Sequence, residues 1–337
     1  MTFMSATGQP PVSPAEPRGP LGPPLMTPGR WVAVAVGVPV ALALIGWTGF
    51  SLITTVARGS YPFSYVIPVP GNRVAVNITS GDVTLRQAPG RSTARLTGTV
   101  QYGLIRPDIG ESVTPTGADI DMSCTGINTD CGMSGTLDVP GGTAVTLWSN
   151  GGNITASGFS SGMTLSAGGG DVNVTNLAGA LQLDTGGGDL TANGLTGTLQ
   201  IGTEGGNVNA DDWAGHGTTR IDTGGGDMTV NGLSGNFQLS TEGGDVDASG
   251  VASALAGLDS GGGNVTLDLT QVPQNLQITA EGGDVTVILP LGSATYDIST
   301  PDNQGANVTY PQSLFNPKSA NKITIDSGGG DITLSQG

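Results

Sequence analysis

A glycine-rich turn closed by Asp or Asn recurs through much of this chain, and its near-constant spacing leaves few folds available. The closing residue falls at Asn153, Asp171, Asp189, Asn207, Asp227, Asp245, Asn264, Asp284 and Asp331. Successive steps are 18, 18, 18, 20, 18, 19 and 20 residues, followed by a gap of 47 with room for a degenerate copy near Asn307. An outlying Ser80-Gly81-Asp82-Val83 places the start of the array well upstream. A fixed period of this length is the signature of a repeat architecture in which each unit packs only on its neighbours.

Each unit holds two short alternations of apolar and polar residues. One follows the Asp or Asn, as in Val172/Val174, Leu190/Ala192, Met228/Val230 and Val285/Val287. The other precedes the glycines, as in Met163/Leu165, Leu181/Leu183, Leu199/Ile201, Phe237/Leu239 and Ile323/Ile325. Period-two alternation means strands with one buried and one wet face. Two strands and two turns per 18–20 residues predict one coil of an all-β solenoid. Coils then stack at about 4.7–4.9 Å, so that about ten of them make a rod of about 50 Å. The glycines suit corners that need positive φ or close backbone approach, and the Asp or Asn is expected to accept backbone N–H groups as in an Asx turn.

The residue before each last glycine pair alternates: Gly186, Glu204, Gly224, Glu242, Gly261, Glu281. Glu on every second rung keeps like charges two coils apart, since directly opposed like charges are unfavourable. A two-coil duplication accounts for the alternation equally well.

The remainder divides into three parts. Residues 1–30 are Pro- and Gly-rich and read as a disordered tail. Residues 31–57 run 27 positions without a charge between Arg30 and Arg58, enough for one transmembrane helix in a lipid bilayer. A cleavable signal peptide fits less well, given the long leader and the long apolar run. Residues 60–139 are less periodic and read as an N-terminal β region capping the repeats, which occupy 140–337. Cys124 and Cys131, the two cysteines of the chain, are expected to form a disulfide, which places this region in an oxidising compartment. Basic residues flank the apolar run on both sides, so orientation rests mainly on the cysteines, which favour a C-terminal domain outside the cell membrane.

From Glu111 onward there are 24 Asp and Glu against three basic residues, Arg220, Lys318 and Lys322. So acidic a surface argues against nucleic acid as a partner. It leaves a solvated, non-sticky exterior, divalent cations or a basic partner. Oxygen-rich turns make Asp189, Glu204, Asp227, Glu242, Asp245, Glu281 and Asp284 candidate Ca²⁺ ligands. The order G-G-G-D nevertheless departs from the RTX nonapeptide, which places glycine turns in both halves of a coil. Catalytic signals are sparse. Gly158-Phe-Ser-Ser-Gly162 fits the nucleophile-elbow string without a following helical pattern, and His216 is the single possible base for it. Asp211-Asp212 resembles the acidic pairs of β-helical polysaccharide enzymes, but basic partners are nearly lacking. No catalytic residues are assigned.

The recurrence of GGGD-Φ-x-Φ with an L-x-G-x-Φ-x-Φ-x-[TS]-x-GG half-repeat resembles the bacterial "putative adhesin" family of β-strand-repeat proteins, a domain of unknown function. The resemblance covers about residues 140–337, or 74–337 if the outlying copy is included. It implies a membrane-anchored cell-surface solenoid with a structural or adhesive role toward envelope polysaccharide or another surface protein. Alternative readings are an envelope-state sensor signalling through the N-terminal tail and a polysaccharide-acting β-helix enzyme.

Overall fold

The computed structural model describes residues 39–40, 43–44, 58–103, 105–124, 131–301 and 305–337. The chain divides into two compact units, residues 1–56 and 57–337. Tail residues 1–30 lie outside the described residues. So does the expected membrane span 31–57, apart from Pro39, Val40, Ala43 and Leu44, which are helical. No helix among the described residues is long and apolar enough to cross a membrane.

The second unit is all β. Leading strands precede each glycine turn and trailing strands follow it. The leading strands Ala144–Ser149, Met163–Ala167, Leu181–Thr185 and Leu199–Thr203 pair parallel and in register. The trailing strands Ile154–Ser157, Val172–Thr175 and Leu190–Gly197 do the same. Register is fixed because a slip of one residue would turn every apolar side chain outward. Inward columns therefore run the length of the rod. Leu165, Leu183, Ile201, Ile221, Leu239, Leu258 and Ile278 line up on the leading side, all buried. A third inward column, Leu195–Trp213–Leu233, fills the corner after the trailing strand.

Volume is balanced between coils rather than within them. Phe237 sits between Thr219 and Ala256 in its column, and all three are buried. The two small residues make room for the ring, as core packing at native density requires. The 20-residue step from Asn207 to Asp227 is absorbed by a register shift between Ala214 and Thr218. Buried hydroxyls close the turns: Thr203, Thr223 and Ser260 donate to the carbonyls of Gly206, Gly226 and Gly263 at 2.9, 2.9 and 2.7 Å.

Spatial order departs from chain order at both ends. The coil Arg73–Ile78 with Val83–Ala88 packs directly against the coil holding Ala144–Ser149 and Ile154–Ser157. The later segment Gly117–Met122 with Gly132–Pro140 lies on its outer side. Parallel stacking thus begins within residues 60–139. That end is closed by antiparallel pairing of Thr93–Tyr102 with both Gly132–Pro140 and Gly59–Pro68. At the other end the final strands Lys322–Asp326 and Ile332–Gln336 slide in between the coil 275–289 and the strands Asp297–Ser299 and Val308–Thr309. The degenerate copy near Asn307 is therefore the outermost coil, and the final GGGD coil lies inside it.

The glycines have distinct jobs. A Cβ on the last glycine of each run would strike the carbonyl oxygen of the equivalent glycine one coil down, at 2.1 Å for Gly188 on Gly170 and 1.9 Å for Gly206 on Gly188. A Cβ on the middle glycine, such as Gly187, meets nothing within 4 Å. Gly188→Ala should therefore cost about 3 kcal/mol or more, while Gly187→Ala stays within about 0.5 kcal/mol. Urea unfolding of the two variants checks this, and equal losses would refute the close-approach account.

Candidate functional site

Close approach at the last glycine has a consequence for the next residue. In a regular parallel ladder the N–H of Asp189 would reach the carbonyl of Gly170. That oxygen lies against Gly188 instead, and the N–H of Asp189 donates to the Oδ1 of Asp171 at 3.0 Å. The same bond repeats through the whole rod. Asn153 donates to Asp82 at 2.8 Å, Asp171 to Asn153 at 2.9 Å, Asn207 to Asp189 at 2.8 Å and Asp227 to Asn207 at 2.9 Å. Asp245 donates to Asp227 at 3.0 Å, Asn264 to Asp245 at 2.7 Å, Asp284 to Asn264 at 3.0 Å and Asp331 to Asp284 at 2.8 Å. Asn307 closes the series on Asp331 at 2.9 Å. The expected Asx turns are thus replaced by bonds between coils, because the orphaned donor lies one coil above the side chain rather than within its own turn.

Taken in spatial order the eleven residues read D-N-D-D-N-D-D-N-D-D-N, from Asp82 to Asn307. Asn and Asp both present Oδ1, so either serves the ladder. With Asn on every third rung no carboxylate has carboxylates on both sides, although rungs stand only about 4.8 Å apart.

The leading face carries a second charge pattern. Its outward positions include Asp184, Asp222, Asp259 and Asp326 on every other coil, with Gly202, Ser240 and Thr279 between them. Glu204, Glu242 and Glu281 occupy the turn on those intervening coils. One carboxylate per coil thus zigzags between two columns. The Gly/Glu alternation also has a steric basis: a Cβ at Gly224 or Gly261 would lie 2.2 or 2.3 Å from the carbonyl oxygen of the Glu below. Outward glycines leave depressions on this face. A groove of about 810 Å³ runs over Gly202, flanked by Ser166, Asp184, Arg220 and Asp222. Another of about 430 Å³ lies over Gly257, between Gln238 and Gln277. Arg220 is held flat on the face by Asp222, at 2.6 Å.

Alongside the zigzag runs an uncharged column, Thr146, Thr164, Gln182 and Gln200. Beside Thr146, at the N-terminal head of the column that continues through Ser166 to Asp184, stands Trp148, 63 % exposed, between Asn77 and Ser166. Sequence reading passed over this residue, although Val145 and Leu147 facing inward dictate that Trp148 faces out. On the trailing face the outward column is largely threonine: Thr84, Thr155, Asn173, Thr191, Asn209, Thr229, then Asp247, Thr266, Thr286, Thr333 and Thr309.

The candidate Ca²⁺ ligands fall into these two patterns. Asp189, Asp227, Asp245 and Asp284 belong to the ladder, each with Oδ1 accepting the backbone N–H of the next rung, from Asn207, Asp245, Asn264 and Asp331 respectively. Glu204, Glu242 and Glu281 stand in the other column. Among the described residues no three His, Cys, Asp or Glu come together to hold a metal ion. Ser160 donates its hydroxyl to Gln87 Oε1 at 3.1 Å, and Ser161 donates to the carbonyl of Thr143. Asp211 accepts from Asn231 Nδ2 at 2.7 Å, while Asp212 sits at a positive-φ corner. The His216 side chain lies outside the described residues. Cys124 and Cys131 are joined in a disulfide across seven residues.

Asp331 is lowered below the usual carboxylate range by the backbone N–H and then the side chain of Asn307. Its folded pKa lies below the unfolded one, so its stabilisation is full above the ordinary carboxylate range and is lost as pH falls through the lower, folded value. Melting temperature against pH should therefore fall less steeply below about pH 4 in Asp331→Asn than in the wild type. An identical slope in both would remove Asp331 from the acid response. Asn207→Asp joins five carboxylates in a row and should lower stability by about 1 kcal/mol at low ionic strength, with the loss shrinking in molar NaCl. A salt-independent loss would mean that charge is not what places Asn on every third rung.

A family model described as Toastrack DUF4097 matches residues 64–335. No curated protein matches the chain. Similar solved structures include a "putative adhesin" from Bacteroides fragilis, 16 % identical, with TM-score 0.44, covering 68 % of this chain and 97 % of that one. Another "putative adhesin", from Parabacteroides merdae, is 12 % identical with TM-score 0.39, covering 84 % of this chain and 97 % of its own.

Proposed function

The chain belongs to the Toastrack DUF4097 family, and from that premise we propose that it is a non-catalytic binding rod, displayed outside the cell on a membrane anchor formed by residues 31–57. The observation that carries the binding role is the unbroken register of the outward columns. On the trailing face a small polar side chain, mostly threonine, repeats on every coil from Thr84 to Thr309. A folded core needs only the inward positions to be regular, since outward strand positions are free to vary. A one-dimensional array of identical contacts suits a partner that is itself a repeating polymer. The same geometry gives many weak contacts at fixed spacing, which adds avidity without a deep pocket.

Support for the display reading comes from the chain itself. The charge-free run 31–57 is long enough to span a bilayer. The disulfide Cys124–Cys131 suits an oxidising compartment. The partner in this reading is envelope polysaccharide or a surface protein.

The test is sedimentation of the full chain, in detergent, with insoluble cell-wall material. Binding that saturates and survives mild salt is expected. Retention in the supernatant at every concentration would sink the binding role. Protease treatment of intact cells checks display: loss of the repeat region on the intact cell is expected, and its full protection would reverse the orientation.

A further inference from the structure

Trp148 is the one large aromatic that the structure places well exposed on a strand face, among the described residues. Its surroundings set it apart from an incidental surface ring. Asn77 and Ser166 flank it along the rod axis, and Thr146 and Thr164 lie in the adjoining outward column. None of these four carries a charge. The uncharged run of this column continues through Gln182 and Gln200, beside the groove over Gly202, and ends at Arg220 on the next coil. A flat apolar ring with hydroxyl and amide groups in line with it offers the two contacts a sugar ring needs: stacking on its C–H face and hydrogen bonds at its rim. Surface tryptophan is otherwise uncommon beyond what function needs.

Charge decides which sugar polymers fit. Asp184, Glu204, Asp222 and Glu242 border the same groove, with Arg220 already paired to Asp222. A polyanion laid along this track would meet Asp184 and Glu204 on the coils of Gln182 and Gln200, with Asp222 and Glu242 just beyond, and like charges at such range repel. A chain of uncharged pyranose rings meets no such barrier.

We infer that the leading face, from Trp148 along Thr164, Gln182 and Gln200, is a docking track for a linear, uncharged polysaccharide running parallel to the rod axis, with one ring stacked on Trp148. This rests on the polymer-binding reading above and names its ligand class and its site.

The test is calorimetric titration of the full chain, kept in a detergent without sugar headgroups, with cellohexaose, chitohexaose and, as the anionic control, polygalacturonate. Binding of a neutral hexasaccharide is expected. Trp148→Ala should weaken it about tenfold, the scale of one aromatic stacking contact, and Trp148→Phe should restore most of it. A joint Gln182→Ala, Gln200→Ala variant should weaken it again. Since Trp148 is well exposed, a fold defect is not expected, and an unchanged melting temperature in each variant verifies that. Equal affinity of Trp148→Ala and wild type, preference for polygalacturonate, or no saccharide binding would each overturn the inference. Cell-wall sedimentation separates the two levels. If it persists while the neutral hexasaccharides fail, the ligand class is wrong and the binding rod stands; if both fail, both readings fall.

Discussion

The rod depends on one close contact, repeated: a glycine α-carbon resting on the carbonyl of the coil beneath. At Gly188, Gly206, Gly226, Gly244, Gly263 and Gly283 no side chain is tolerated, because the oxygen below would lie about where a Cβ must be. That approach takes the carbonyl out of the backbone ladder and strands the N–H of the following residue. A side-chain oxygen from the coil below fills the vacancy. Glycine and Asx are thus two halves of one device. The glycine sets how tightly coils turn, and the Asx satisfies the donor which that turn leaves without its ladder partner.

Once coils are joined this way, electrostatics constrains what the ladder can be made of. Oδ1 is supplied equally well by Asp or Asn, so backbone satisfaction alone does not choose between them. Repulsion does, and Asn on every third rung limits any run of carboxylates to two. The pattern holds across the end of the rod only when Asp331 is placed before Asn307, as the intercalated final coil places it. In chain order the series would end D-N-D. The charge pattern and the out-of-order stack thus agree, although hydrogen bonding alone does not require it.

Much of the fold was legible because a period of 18–20 residues with two alternations admits little besides stacked coils. What was not legible follows from contacts that leave no local mark. Thr219 breaks the inward alternation, and its reason, Phe237, lies one coil away. The partner of each Asx side chain is 18–20 residues distant along most of the chain and 47 between Asp284 and Asp331, so a turn motif read locally misassigns it. The exchange of order at both ends is invisible to any sequential reading. Of the candidate site, the outward polar columns were visible as alternation, but Trp148 was not weighed, because a tryptophan inside a strand reads as core unless its neighbours are assigned first.

The two faces differ in a way that bears on what each can do. On the trailing face threonine dominates, a β-branched residue that fits a pleated surface and keeps strands regular. The leading face departs from what propensity would choose: glycines at Gly202 and Gly257 weaken strands by losing side-chain contacts and gaining backbone freedom. They occur where a side chain would fill a depression, and a Cβ at Gly257 would touch nothing closer than 4.0 Å. At Gly188 glycine is required by the neighbouring backbone; at Gly257 the backbone makes no such demand. Gly257 thus runs against strand propensity without steric need, on the face that also exposes Trp148, whereas the trailing face keeps β-branched residues on most coils.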